Sequence, residues 1–136
     1  MISLVPYQHD HLKKMDFKDY HRGEIPEEVK TRALSLVRGD TVLAIFGGLV
    51  LAPGVFHLWS FVSKEVEKMP LAFYKATRKS LELFEKHEKF RRIQIDIRCD
   101  CPSLRHWAES IGFKCEGTMA KFGQDGSDYF LFARVT

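Results

Sequence analysis

Arg91-Arg92-Ile93-Gln94-Ile95-Asp96-Ile97-Arg98, then Cys101 to Ile111, then Gly112-Phe113-Lys114-Cys115-Glu116-Gly117, is the stretch that decides the fold. Strict alternation over 92–98 predicts a strand, with Ile93, Ile95 and Ile97 inward and Gln94, Asp96 and Arg98 outward. Pro102 suits the first turn of a helix, with Asp100 or Cys101 as its cap. Leu104, Trp107, Ala108 and Ile111 form the apolar stripe of that helix. Gly112 is a left-handed stop, and Phe113 is placed for the hydrophobic contact that accompanies it. Two strands follow, Cys115 to Phe122 and Ser127 to Val135. They are joined by Gly123-Gln124-Asp125-Gly126, where Asp-Gly is a strong hairpin signal.

Upstream, Pro70 to Lys89 reads as the longest helix. Phe73, Ala76, Thr77, Ser80, Leu83, Phe84 and His87 follow helical spacing and face a sheet. Lys75, Arg78, Lys79, Glu82, Lys86 and Lys89 lie mostly outside that stripe, as on a solvated face. Val55 to Val62 is a strand, with Val55, His57, Trp59 and Phe61 on one face and Phe56, Leu58, Ser60 and Val62 on the other. Thr41 to Phe46 is an almost continuous apolar run, which predicts burial on both faces. Gly47-Gly48 allows a turn or bulge before a further strand at Leu49-Val50-Leu51. Two helices are expected before these strands. One runs from Gln8 to Tyr20 with Leu12 and Met15 buried and Asp10 as a cap, and one from Pro26 through Val37 with Val29, Ala33, Leu36 and Val37 buried. Ile2 to Val5 is the first strand.

Bulk properties set limits on function. A chain of 136 residues with 45% apolar residues supports one domain spanning 1–136 with a real core. The net charge of +3 is too small to mark a nucleic-acid binder, and no specific nucleic-acid partner is expected. The apolar stretch from Val42 to Trp59 is broken by Gly47-Gly48 and Pro53-Gly54, so no membrane insertion is expected. No leader is evident, and the three cysteines read as thiols in a reducing compartment, hence a cytoplasmic protein. No metal is expected. The spacing of Cys99, Cys101, His106 and Cys115 matches no zinc pattern, and His9 and His11 do not share a helix face.

The order strand, two helices, three strands, long helix, strand, short helix, two strands resembles the GNAT superfamily of N-acetyltransferases over essentially the whole chain. The motif from Trp107 to Gly117 and the last hairpin from Asp125 to Arg134 carry the resemblance. It implies an α+β, single-domain GNAT-like fold: a central mixed, mostly antiparallel sheet of about seven strands flanked by about four helices. It also implies an acetyl-CoA site. The backbone of Phe61, Val62 and Ser63 would align the pantetheine arm, and the loop into the long helix would hold the pyrophosphate on backbone amides. That loop falls on Glu67-Lys68-Met69-Pro70-Leu71-Ala72, where only Ala72 fits the family pattern. Pro70 stands where a glycine donor is expected and has no N–H. Lys68 supplies charge there. Cys101 and Ala108 stand where many members carry an asparagine and a catalytic tyrosine. His57 is the one titratable candidate for a general base on the central strands, and equally a hydrogen-bonded packing residue.

Two functions follow from the resemblance. One is an acyl-CoA-dependent N-acetyltransferase with a degenerate pyrophosphate loop, acting on an unknown amine. The other is a catalytically inactive GNAT-like protein, similar to short phage-encoded internal virion or head-assembly proteins, with protein partners in the host cytoplasm or virion. The segment 63–72 decides between them.

Overall fold

The computed structural model describes residues 2–16, 33–87 and 89–136. Its strands are β1 (Ile2–Pro6), β2 (Ala33–Arg38), β3 (Thr41–Ala52), β4 (Val55–Val62), β5 (Arg92–Arg98), β6 (Lys114–Met119) and β7 (Tyr129–Val135). The helices are α1 (Pro70–His87) and α2 (Pro102–Ser110), with two short 3-10 helices at His9–Lys14 and Lys64–Lys68. The strands form one seven-stranded sheet in the order β1-β2-β3-β4-β5-β7-β6. The β4–β5 pair is parallel; β1–β2, β2–β3, β5–β7 and β6–β7 are antiparallel. This is the α+β, GNAT-like arrangement expected. The expected count of about four helices differs slightly, since the described residues hold two α-helices and two 3-10 segments.

The chain divides into two compact units, Met1–Gly48 with Trp59–Phe84, and Leu49–Leu58 with Glu85–Thr136. In the first, β3 is buried without a break from Val42 to Gly48, as a strand covered on both faces must be. Leu12, Met15, Val42 and Ile45 make a cluster against which Tyr7, Trp59 and Phe61 pack. Phe46 stacks on Phe73 of α1 with ring centroids 5.8 Å apart. In the second, Ile93, Ile95 and Ile97 are buried while Arg92, Gln94, Asp96 and Arg98 are half-exposed, as alternation required. Helix α2 buries Ala108, followed by Ile111. Gly112 sits at φ +94, and the Phe113 N–H reaches the Ala108 carbonyl at 3.0 Å, closing the helix end. Phe113 is buried there.

Several expectations need correction. Ala33 to Arg38 is not the end of a helix; it is β2, paired with β1 from Ile2↔Arg38 to Pro6↔Leu34. Ala33, Leu36 and Val37 fit helical spacing, but so short an apolar run also fits a strand, and the Gly39 turn at φ +59 returns it antiparallel to β3. The rest of that expected helix lies outside the described residues; the one before it is shorter than expected, a 3-10 helix at His9–Lys14 with Gln8 rather than Asp10 at its N-cap and Met15 already extended. Gly47-Gly48 makes no turn: β3 continues as strand from Thr41 to Ala52 through both, with Gly47 paired to Ala33 of β2. Finally, Leu81, 1% exposed, belongs to the buried stripe of α1, and β6 ends at Met119 rather than Phe122. Among the described residues no helix is long and apolar enough to cross a membrane.

Candidate functional site

The segment joining β4 to α1 lies in the first unit. Its amides are largely spent internally. The Ser63 N–H donates to Leu43 O and the Lys64 N–H to Asp16 O, both at 2.9 Å. The Val66 N–H reaches Ser63 O at 3.2 Å and the Met69 N–H reaches Val66 O at 3.0 Å, winding 64–68 into a 3-10 helix that buries Val66. The first α-helical bond is from the Phe73 N–H to Met69 O at 3.1 Å. Pro70 therefore opens α1, where its missing N–H costs nothing. Leu71 and Ala72 carry the first-turn N–H groups that have no acceptor within the helix. An anion at this helix end has two amides available where a glycine-rich loop would present more.

Ser63 adds a second feature. The residue is 1% exposed, and its Oγ has no hydrogen-bond partner among the described residues. Leaving a buried hydroxyl unpaired costs about 1–3 kcal/mol. Val62 beside it is buried, and Phe61 is half-buried with its ring 5.4 Å from Trp59. Lys68 is exposed, 4.0 Å from Glu65 Oε1. Further along α1, Leu71, Tyr74, Lys75, Arg78, Lys79 and Glu82 line a shallow cavity of 290 Å³.

His57, Gln94, Asp96 and Cys101 lie in the second unit. Parallel pairing of β4 with β5 runs from Val55↔Arg92 to His57↔Gln94. This sets the imidazole among the polar side chains of β5. His57 Nε2 is 2.7 Å from Asp96 Oδ1, and its Nδ1 is 3.2 Å from Gln94 Nε2. A base role for the imidazole thus requires one of these bonds to be given up. Arg92 Nε donates to Gln94 Oε1 at 2.9 Å, and the Arg92 guanidinium grips both Glu116 oxygens. The Glu116 carboxyl is held below its usual range by that guanidinium. At the far end of β5, Arg98 joins Asp100 and Asp125. Cys101 occupies the N-cap of α2 without capping it by its side chain; its Sγ lies 3.6 Å from Asp100 Oδ1. None of the three cysteines is in a disulfide, and among the described residues no group of three His, Cys, Asp or Glu side chains converges as a metal site would.

Gln94, Asp96, Arg92 and Glu116 were not singled out as site residues from the sequence. The signal was present in the alternation, which put Gln94 and Asp96 on one face of β5. What the sequence lacked was the neighbour, because parallel pairing with a strand some forty positions away sets His57 opposite Gln94.

No protein-family model and no curated protein matches this chain. Solved structures do. A GNAT-family acetyltransferase from Bacillus anthracis superposes with a TM-score of 0.75 at 14% identity, covering 98% of this chain and 94% of the other. The ribosomal-protein-S5-alanine acetyltransferase from Vibrio fischeri gives 0.77 at 10% identity over 98% and 92%. A spermidine N-acetyltransferase chimera that includes the Vibrio cholerae protein gives 0.78 at 10% identity over 98% and 94%. The fold of this chain is that of the GNAT acetyltransferases, over nearly its whole length.

Proposed function

We propose that this chain is an acyl-CoA-dependent N-acetyltransferase, acting on an amine, whose pyrophosphate loop has diverged. The observation that carries the reading is the orphaned Ser63 hydroxyl. It stands at the end of the strand that aligns the pantetheine arm in this fold, and a ligand oxygen would relieve it. The residues present suit an acyl-CoA, with a reduced cradle. The backbone of Phe61 to Ser63 would align the arm, the Leu71 and Ala72 N–H groups at the positive end of α1 would hold the phosphates, and Lys68 would add charge. When bound, acetyl-CoA supplies the activated acyl group; the protein's part is to orient it and to manage the amine's protons. His57 and its partners are the candidates for that second task. The named neighbours act on spermidine and on an alanine of a ribosomal protein, both amine acceptors, and we extend only that class to this chain. Thiols outside disulfides and an acyl-CoA partner suit the cytoplasm.

A second reading is an inactive assembly component, of the phage internal-virion kind. It is favoured by the loss of the Pro70 amide and by Leu49, Val50 and Leu51, each about half exposed. Calorimetric titration with acetyl-CoA and CoA separates the two. Micromolar binding, weakened about threefold by Lys68→Glu, is expected for the enzyme. No heat at millimolar ligand from a folded sample would leave the assembly role.

A further inference from the structure

A run of hydrogen bonds in the second unit has a direction that can be read from its ends. Glu116 is a carboxylate and can only accept; it takes the Arg92 Nη groups. Arg92 can only donate, so the Gln94 atom 2.9 Å from its Nε is the amide oxygen. That fixes the other end of the Gln94 amide as the nitrogen, a donor, 3.2 Å from His57 Nδ1. Nδ1 must then present its lone pair. The imidazole proton sits on Nε2 and is donated to Asp96 Oδ1 at 2.7 Å. Each link leaves the next a single choice.

We propose that Gln94 is a positioning residue that fixes His57 as the Nε2–H tautomer, and that Asp96, not the imidazole, is the proton acceptor of this site. Both imidazole nitrogens are committed. Asp96 Oδ1 accepts from His57, while Oδ2 has no partner among the described residues, and the side chain is 28% exposed. No Lys or Arg among the described residues pairs with it. A partly exposed carboxylate with no cation of its own suits a primary ammonium, the protonated form of an amine acceptor. When it takes the proton, an ammonium N–H bond breaks and an O–H bond forms at Oδ2. The electron pair stays on nitrogen, which becomes the neutral amine. His57 keeps its own proton throughout, and its bond to Oδ1 holds the carboxylate in place. The role of this step in turnover rests on the acyl-transfer reading; the tautomer and the ammonium site do not.

Both parts are testable on the full chain by NMR without acyl-CoA. Two-bond proton–nitrogen correlations on histidine-labelled protein at neutral pH are expected to show His57 bare at Nδ1 and protonated at Nε2. Gln94→Glu replaces the donor with an acceptor, so both nitrogens should then carry protons. A wild-type Nδ1–H tautomer, an averaged pair, or no change in Gln94→Glu overturns the assignment. Should that variant not fold, Asp96→Asn serves, since Gln94 still pins the ring; a switch to Nδ1–H there is equally fatal. The Asp96 carboxyl carbon is then followed while butylammonium or tetramethylammonium is added. A shift with butylammonium but not with tetramethylammonium, which has no N–H, is expected. Equal responses, or none, remove Asp96 as the ammonium acceptor. If this holds while the acetyl-CoA titration fails, the amine site stands and the acyltransferase reading falls.

Discussion

Ser63 and Asp125 show how single side chains can be destabilising or stabilising for opposite reasons. The Ser63 hydroxyl is buried and unpaired among the described residues, so Ser63→Ala should raise the unfolding free energy by about 1 kcal/mol. The same change should weaken acetyl-CoA binding, since it removes the group a ligand would satisfy. Urea denaturation and calorimetry on one variant read the two opposite signs. Asp125 is exposed but well bonded, and its carboxyl is lowered from an ordinary 3.8 to about 2 by the Ser127 hydroxyl and amide and by Arg98. A depressed carboxyl stabilises above its unfolded value and loses that stabilisation as pH falls through the folded one. The turn at 123–127 should therefore stay intact at pH 4 and loosen towards pH 2, followed through the Ser127 amide shift. A midpoint near 3.8 would show that these bonds do not form.

Among the elements, α1 separates buried from exposed leucines within a few turns. Leu81 is 1% exposed and Leu71 is 65% exposed. Leu81→Ala should cost about 2–5 kcal/mol, while Leu71→Ala should stay within about 0.5 kcal/mol, both by chemical denaturation. At the end of α2, an alanine at Gly112 has room, with Arg134 the nearest group at 3.9 Å. The cost of Gly112→Ala is then conformational, about 1–2 kcal/mol for a left-handed residue with a Cβ. Had Gly112 been kept for packing, a much larger loss would follow. These elements were legible in the sequence because local chemistry writes them: a glycine stop, a proline start, an isoleucine at every second place. Strand β2 was not. Its six residues fit two periodicities, and pairing on both sides, not propensity, makes them a strand.

For the molecule as a whole, the two tryptophans fall one in each unit, Trp59 in the first and Trp107 in the second. Strands β3 and β4 each run through both units. The chain should unfold in a single transition, with Trp107→Phe and Trp59→Phe reporting coincident urea midpoints by fluorescence once each is corrected for its own stability. Two separate midpoints in wild type would show that unfolding is not two-state. The candidate site was half legible at this scale. His57, Ser63 and Ala72 were named as candidates from the element order and its resemblance. Gln94 and Asp96 were visible only as the polar face of a strand, since their meaning comes from a residue on another strand. One detail of the sheet reaches further than its size. The register of β6 against β7 slips between Cys115 and Gly117, and Glu116 is the residue left over. That surplus residue supplies the carboxylate that holds Arg92. An edit at the rim of the sheet, the deletion of Glu116, would restore a regular strand and yet be felt two side chains away, because Arg92 would lose the carboxylate that anchors it against Gln94.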